Sequence, residues 1–164
     1  MEELLAAASA VLVVGALVAV ASLTAVKPYE SIVIFRLGKA TPDSVRGPGF
    51  HFIVPILDRA LRVRMTETAT DGTVVGTSKD DVAVTAELRI LWRVVDPLKS
   101  VLNVANVEEG LKAVAGTALQ DLAADEAIAY AGRAADAIEA RLKDVGKTWG
   151  IAIAEVTVRR VSRG

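Results

Sequence analysis

Apolar and small side chains run without a charge from Leu4 to Val26, and from Lys27 onward the chain changes to alternating and then helical patterns. At about 1.5 Å per helical residue the uncharged run reaches roughly 34 Å, enough to cross a hydrocarbon core of about 30 Å. It predicts a transmembrane anchor from Leu4 to Val26, preceded by a three-residue tip. A cleaved leader is a competing reading, because Ala19-Val20-Ala21 precedes Ser22, although Glu2 and Glu3 stand where basic residues belong. A buried core helix is another, but it would show a polar stripe, and Ser9, Ser22 and Thr24 form none. Lys27, Arg36, Lys39 and Arg46 follow the run and no Lys or Arg precedes it. That bias favours a single-pass cell-membrane protein with its domain on the cytoplasmic side.

Past the anchor the first half reads as strands. Ile32 to Leu37 is apolar and β-branched and ends at Gly38, the pattern of a buried strand. From Arg59 to Met65, Leu61, Val63 and Met65 fall on one face and Arg62 and Arg64 on the other. Val82 to Val95 is the clearest strand: Val82, Val84, Ala86, Leu88, Ile90, Trp92 and Val94 make one wholly apolar face. Thr73 to Ser78 is its expected hairpin partner, joined through Lys79-Asp80-Asp81. At Asp96-Pro97 the period changes, with Asp96 placed to cap a helix that Pro97 opens. Val107, Leu111, Val114, Ala115, Ala118, Leu119 and Leu122 recur at helical spacing. A second amphipathic helix is expected from Ala127 to Lys147, with Ile128, Ala135, Ile138, Leu142 and Val145 inward, before Ile151 to Val161 returns to strand. Strands, two main amphipathic helices and a closing strand predict an α+β domain with a mostly antiparallel sheet over residues 27–164.

Composition narrows the function classes. Roughly 140 residues remain after the anchor, one ordinary domain able to bury a core. Lys and Arg number 19 against 20 Asp and Glu, which gives no basic footprint for nucleic acid. Cysteine is absent, which removes disulfides, thiolate metal sites and palmitoylation. Catalytic patterns are weak. His51, the one histidine, sits in an apolar run and reads as a packed or interfacial ring. Ser78 and Lys79, adjacent on an extended chain, point to opposite faces and cannot readily share a proton. Asp80-Asp81 lacks the further oxygen ligands a cation needs and reads as a turn. The expectation is a protein that is not an enzyme, with no cofactor and no metal.

Phe50, Phe52, Ile53, Val54, Ile56 and Leu57 make a nearly uncharged run between Gly49 and Asp58, with Pro48 and Pro55 resisting helix. Too short to span, this hook can lie at a headgroup boundary, with Arg59 and Arg62 reaching lipid phosphates. It can equally cap the sheet core, and both uses together are compatible with the pattern.

The ordered set Tyr29-Glu30-x-x-Val33-x-Phe35-Arg36-Leu37-Gly38, then Gly47-Pro48-Gly49-Phe50-His51-Phe52-Ile53-Val54-Pro55, then Thr77-Ser78-Lys79-Asp80-Asp81-Val82-x-Val84, resembles the SPFH (Band 7) domain of stomatins, prohibitins and flotillins. Trp92-Arg93-Val94-Val95-Asp96-Pro97 and Trp149-Gly150-Ile151 continue the likeness, which is greatest to stomatin. The resemblance implies an anchored scaffold that contacts membrane lipids, forms homo-oligomers and in some branches regulates a membrane-bound protease. An adaptor subunit of such a protease, acting without large assembly, is the alternative. The family commonly has an Arg near Gln120 and an Arg-Glu pair where Ala131-Gly132 stands, and commonly continues into a coiled coil beyond the position of Gly164. These departures imply assemblies smaller than closed cages.

Overall fold

The structure, a computed structural model, describes residues 1, 12–13, 15, 22–54, 56–122 and 131–163. These divide into two compact units, Met1–Arg64 and Met65–Gly164.

The first unit is built from β1 (Leu23–Val26), β2 (Glu30–Arg36), β3 (Val45–Arg46), β4 (Gly49–Phe52) and β5 (Asp58–Arg64). β1 pairs antiparallel with β4, and β2 pairs antiparallel with β3 on one side and β5 on the other. Val26, Ile32 and Ile53 form the core between these layers, and Ile34 and Ala60 pack against it.

The expected anchor is corrected at its end. Leu23–Val26 is a strand, not the last turn of a helix, because Thr24 and Val26 are β-branched and β4 offers a free edge to pair with. Among the described residues no helix is long and apolar enough to cross a membrane. Leu12, Val13 and Gly15 are helical and exposed, while residues 2–11, 14 and 16–21, where most of the expected span falls, lie outside the described residues.

β5 keeps its predicted alternation, but its arginine-bearing face is not simply the solvent face. Ala60 shares that face with Arg62 and lies against the core beside Ile34.

The second unit is a three-stranded antiparallel sheet, β6 (Thr68–Thr77), β7 (Ala83–Val94) and β8 (Ile151–Arg163), with β7 central. Among the described residues three helices accompany it: α1 (Pro97–Asn103), α2 (Val107–Ala118) and α3 (Ala131–Trp149). Val84, Ala86, Leu88, Ile90, Trp92 and Val94 alternate into the core as predicted. α2 packs on β6 and α3 on β8. The approach of α2 is close: a Cβ at Gly76 would lie 2.5 Å from the Gly116 carbonyl oxygen.

Asp96 caps α1, its carboxylate accepting from the Lys99 N–H at 3.1 Å. Asn106 does the same for α2, accepting from the N–H groups of Glu108 and Glu109. Along α3 the buried stripe is Ala134, Ile138, Leu142 and Gly146, one residue per turn, so Ala134 replaces Ala135 as the innermost alanine. The helix runs through Gly146 and stops at Gly150, whose φ of +68° and carbonyl neighbour from Asp96 suit only glycine. Trp92 is buried and its indole N–H donates to Thr70 Oγ1 at 2.9 Å.

Candidate membrane-facing surface

The β1–β4 pair sets the geometry. Leu23 lies opposite Phe52 and Ala25 opposite Phe50, while Thr24 meets His51 and Val26 meets Gly49. Side chains opposite each other in a ladder share a face. One face therefore carries Leu23, Ala25, Phe50 and Phe52, and the other turns Val26 inward. Relative exposure is 57% at Leu23, 76% at Phe50 and 64% at Phe52, against 5% at Val26. With about 200 Å² per large side chain, these three expose roughly 400 Å² of apolar surface, the size of the largest patch on an ordinary soluble monomer.

The hook predicted from sequence divides residue by residue. Phe50 and Phe52 project outward from β4, Ile53 is buried in the core, Val54 is half-buried, and Ile56 and Leu57 are exposed again. Ile53 is fixed by its N–H donating to the Ser22 carbonyl at 2.7 Å, which ties the hook to the residue preceding β1. The turn that follows is held from beneath. Asp58 accepts from the Val54 N–H at 3.1 Å, and the Leu57 and Asp58 N–H groups donate back to the Val54 carbonyl.

A second apolar projection adjoins this turn. Arg36 and Lys39 bridge a two-residue hairpin whose central residues, Leu37 and Gly38, have φ of +50° and +79°. Positive φ at both positions defines a type I′ turn, which favours Asn-Gly and disfavours leucine. Leu37 nevertheless stands there, 76% exposed, and its N–H donates to the Leu57 carbonyl at 3.0 Å. Leu37, Ile56 and Leu57 line one shallow groove with Arg59 at its side. No sequence signal distinguished Leu37 from a buried strand residue except the Gly38 that follows.

The structure separates the two arginines. Arg59 and Arg62 lie on opposite faces of β5. Arg59 is beside the apolar groove, whereas Arg62 lies 3.7 Å from Glu30. Arg36 is bound to Asp58 by a two-pronged pair, Nε to Oδ1 at 2.8 Å and Nη2 to Oδ2 at 3.0 Å. The hydrogen bond from Arg36 holds the Asp58 carboxyl below the usual carboxylate range against the opposing effect of burial; the Val54 N–H and the charge of Arg36 add to it.

The residues weighed for chemistry are occupied structurally. His51 Nε2 donates to the Gly47 carbonyl at 2.8 Å, and the Ser78 hydroxyl accepts from the Val82 N–H at 3.3 Å. Asp81 has a φ of +58° in the β6–β7 turn, the turn position its sequence suggested.

The first unit is strand-rich with an outward apolar face, and the second is a three-stranded sheet packed with amphipathic helices. The model of the SPFH domain / Band 7 family matches residues 24–163, and the chain belongs to that family. Its sequence is similar to Stomatin-1 of Caenorhabditis elegans, 30% identical over 142 residues that cover 83% of this chain and 42% of that protein. A stomatin homolog of Pyrococcus horikoshii is 32% identical over 141 residues, 83% of this chain and 52% of the relative. Mouse stomatin is 27% identical over the same number, 83% of this chain and 50% of its own length. The chain thus spans about half the length of the curated relatives it matches. It is a stomatin-like SPFH protein, and the family match begins inside β1, ahead of the Lys27 boundary expected from the sequence.

Proposed function

We propose that this protein is a membrane-anchored, stomatin-like scaffold that self-associates and organises neighbouring lipids and proteins. In this reading the apolar stretch from Leu4 to Ser22 is the anchor: at about 1.5 Å per residue its 19 residues reach about 28 Å, within the range that spans a bilayer. The domain lies on the cytoplasmic side, as the Lys and Arg distribution favours. The observation that carries the reading is the exposed face of Leu23, Phe50 and Phe52, because β1 directly continues the apolar stretch and so holds this face beside the bilayer. Leu37, Ile56 and Leu57 add a second apolar contact, and Arg59 meets headgroup phosphates beside them.

Burying half of the 400 Å² face at about 25 cal/mol per Å² contributes roughly 5 kcal/mol, enough to dock the domain and not merely leave it hanging from the anchor. Family membership supports the scaffold role, and self-association is the part that needs its own measurement. A chain beginning at Ser22 should float with phosphatidylcholine vesicles, and Phe50→Glu with Phe52→Glu should weaken that binding at least 100-fold while far-UV circular dichroism stays unchanged. Unchanged flotation would sink the docking claim. The mass of the full chain in lipid nanodiscs, read over a range of concentrations, separates oligomeric scaffold from a monomer. A strict monomer would favour the regulatory subunit of a membrane-bound protease instead.

A further inference from the structure

We propose that the first unit holds a binding cleft for a phosphate ester, built from Arg36, Lys39 and Arg46 and bordering the exposed apolar face at Phe52. The three cations come from different segments but share one face of the β3–β2–β5 sheet. Arg46 lies opposite Ile32, Arg36 lies two side chains further along that same face, and Lys39 is the bridge partner of Arg36. His51, from the inner face of the β1–β4 pair, closes the cleft from the facing layer. The space enclosed is about 390 Å³, at the lower end of the 300–1,000 Å³ usual for small-molecule sites.

The charge balance favours an anion. Two carboxylates, Asp43 and Asp58, border the cleft. The Asp58 side chain is 1% exposed and spends both oxygens on Arg36 and on the Val54 N–H. It works as an internal anchor: it grips Nε and Nη2 of Arg36 and leaves the Nη1 hydrogens of a side chain that is 68% exposed. An arginine fixed through one edge of its fork loses little freedom when the other meets a phosphate oxygen. Arg46 is likewise held, Nη1 donating to the Asp43 carbonyl at 2.5 Å. Lys39 has no ion pair among the described residues, and like charges placed directly opposite, as Lys39 and Arg36 are, repel until an anion is shared between them. Thr41 and Ser44 add hydroxyls at the same mouth.

The source of the phosphate is suggested by the wall. Phe52 lines the cleft and also belongs to the exposed apolar face, so a ligand here would lie at the border of that face. An anionic phospholipid headgroup fits that border. The lipid source rests on the membrane reading proposed above, whereas the binding of a phosphate ester does not.

The test uses the full chain in neutral maltoside micelles, titrated calorimetrically with dihexanoylphosphatidylglycerol, glycerol 3-phosphate and inorganic phosphate. Lys39→Ala with Arg46→Ala should weaken binding of the short-chain lipid roughly 30-fold, about one charge contact per cation. Lys79→Ala with Arg160→Ala, an equal charge change in the second unit, should leave it within twofold. Lys39→Glu alone keeps the loop bonds of Arg46 and should weaken binding at least as much as a neutral change at that site. Tighter binding of the lipid than of glycerol 3-phosphate identifies a headgroup, and equal binding identifies a soluble phosphate ester. No binding of any probe, or equal weakening by both double variants, overturns the proposal. Since micelles replace the bilayer, a failed docking claim, seen in vesicle flotation, would leave this result readable.

Discussion

The strand character of Leu23–Val26 predicts where the chain can be cut. A chain beginning at Ser22 keeps β1 and the carbonyl that accepts from Ile53, whereas one beginning at Lys27 loses both. The second cut removes Val26, 5% exposed and packed with Ile32 and Ile53, whose burial contributes about 2 kcal/mol. It also strips the β1 ladder from β4, at about 1 kcal/mol for each hydrogen bond not replaced in kind. Together these amount to roughly 4 kcal/mol or more, a large share of the 5–15 kcal/mol typical of a domain. Urea unfolding of the two chains, with hydrogen exchange read at the Ile53 amide, measures the difference. The Lys27 chain should unfold at clearly lower urea and exchange Ile53 as an open group. Equal midpoints and equal protection at Ile53 would refute the pairing of β1 with β4 and restore a helix through Val26.

Other outcomes follow from the same geometry. Leu37→Asn should stabilise the chain by about 0.5–1 kcal/mol, because asparagine accepts the left-handed backbone more readily, while weakening vesicle binding; urea unfolding and flotation on one variant test both signs. The folded-state carboxyls of Asp58 and Asp71 are held low, first by hydrogen bonds from Arg36 and Arg89. Their contribution to stability is complete above the unfolded value of about 3.9 and is lost as pH falls through the lower folded values. Melting temperature should therefore fall below about pH 4, and Asp58→Asn should be less stable near neutrality with a shallower acid slope. Gly110→Ala would place its Cβ 2.7 Å from Trp149 Cη2. After the helix-propensity gain it should cost about 1–2 kcal/mol and shift tryptophan emission to the red.

What the sequence discloses depends on how each face is covered. β7 was legible because α2 and α3 cover one side of the second-unit sheet, so its six inward residues alternate without interruption. The cap at Asp96 and the helix opening at Pro97 were legible because their chemistry is local. β1 was hidden, since Leu23, Thr24, Ala25 and Val26 continue an apolar run in composition and only pairing with residues 49–52 makes them a strand. β6 begins at Thr68, not Thr73, because its inward residue Thr70 is polar in sequence yet buried, its hydroxyl taken by the Trp92 indole, so the first half of the strand shows no apolar alternation. The hook read correctly as apolar, but its division into Phe50 and Phe52 outward and Ile53 inward needed the ladder. Arg59 and Arg62 looked alike in sequence; their parity on β5 separates them, and Glu30 occupies the second.

The claim that the β1–β4 face meets the bilayer is open to one direct reading. The chain has no cysteine, so Phe52→Cys and Glu87→Cys each give a single site for a nitroxide label. Both are exposed positions, one on the apolar face and one on β7 in the second unit. In the full chain reconstituted into phosphatidylcholine and phosphatidylglycerol bilayers, power saturation compares access to oxygen, which dissolves in lipid, with access to a water-soluble nickel complex. A label at residue 52 should meet oxygen more than nickel, and one at residue 87 should show the reverse. Equal nickel access at both positions would contradict it.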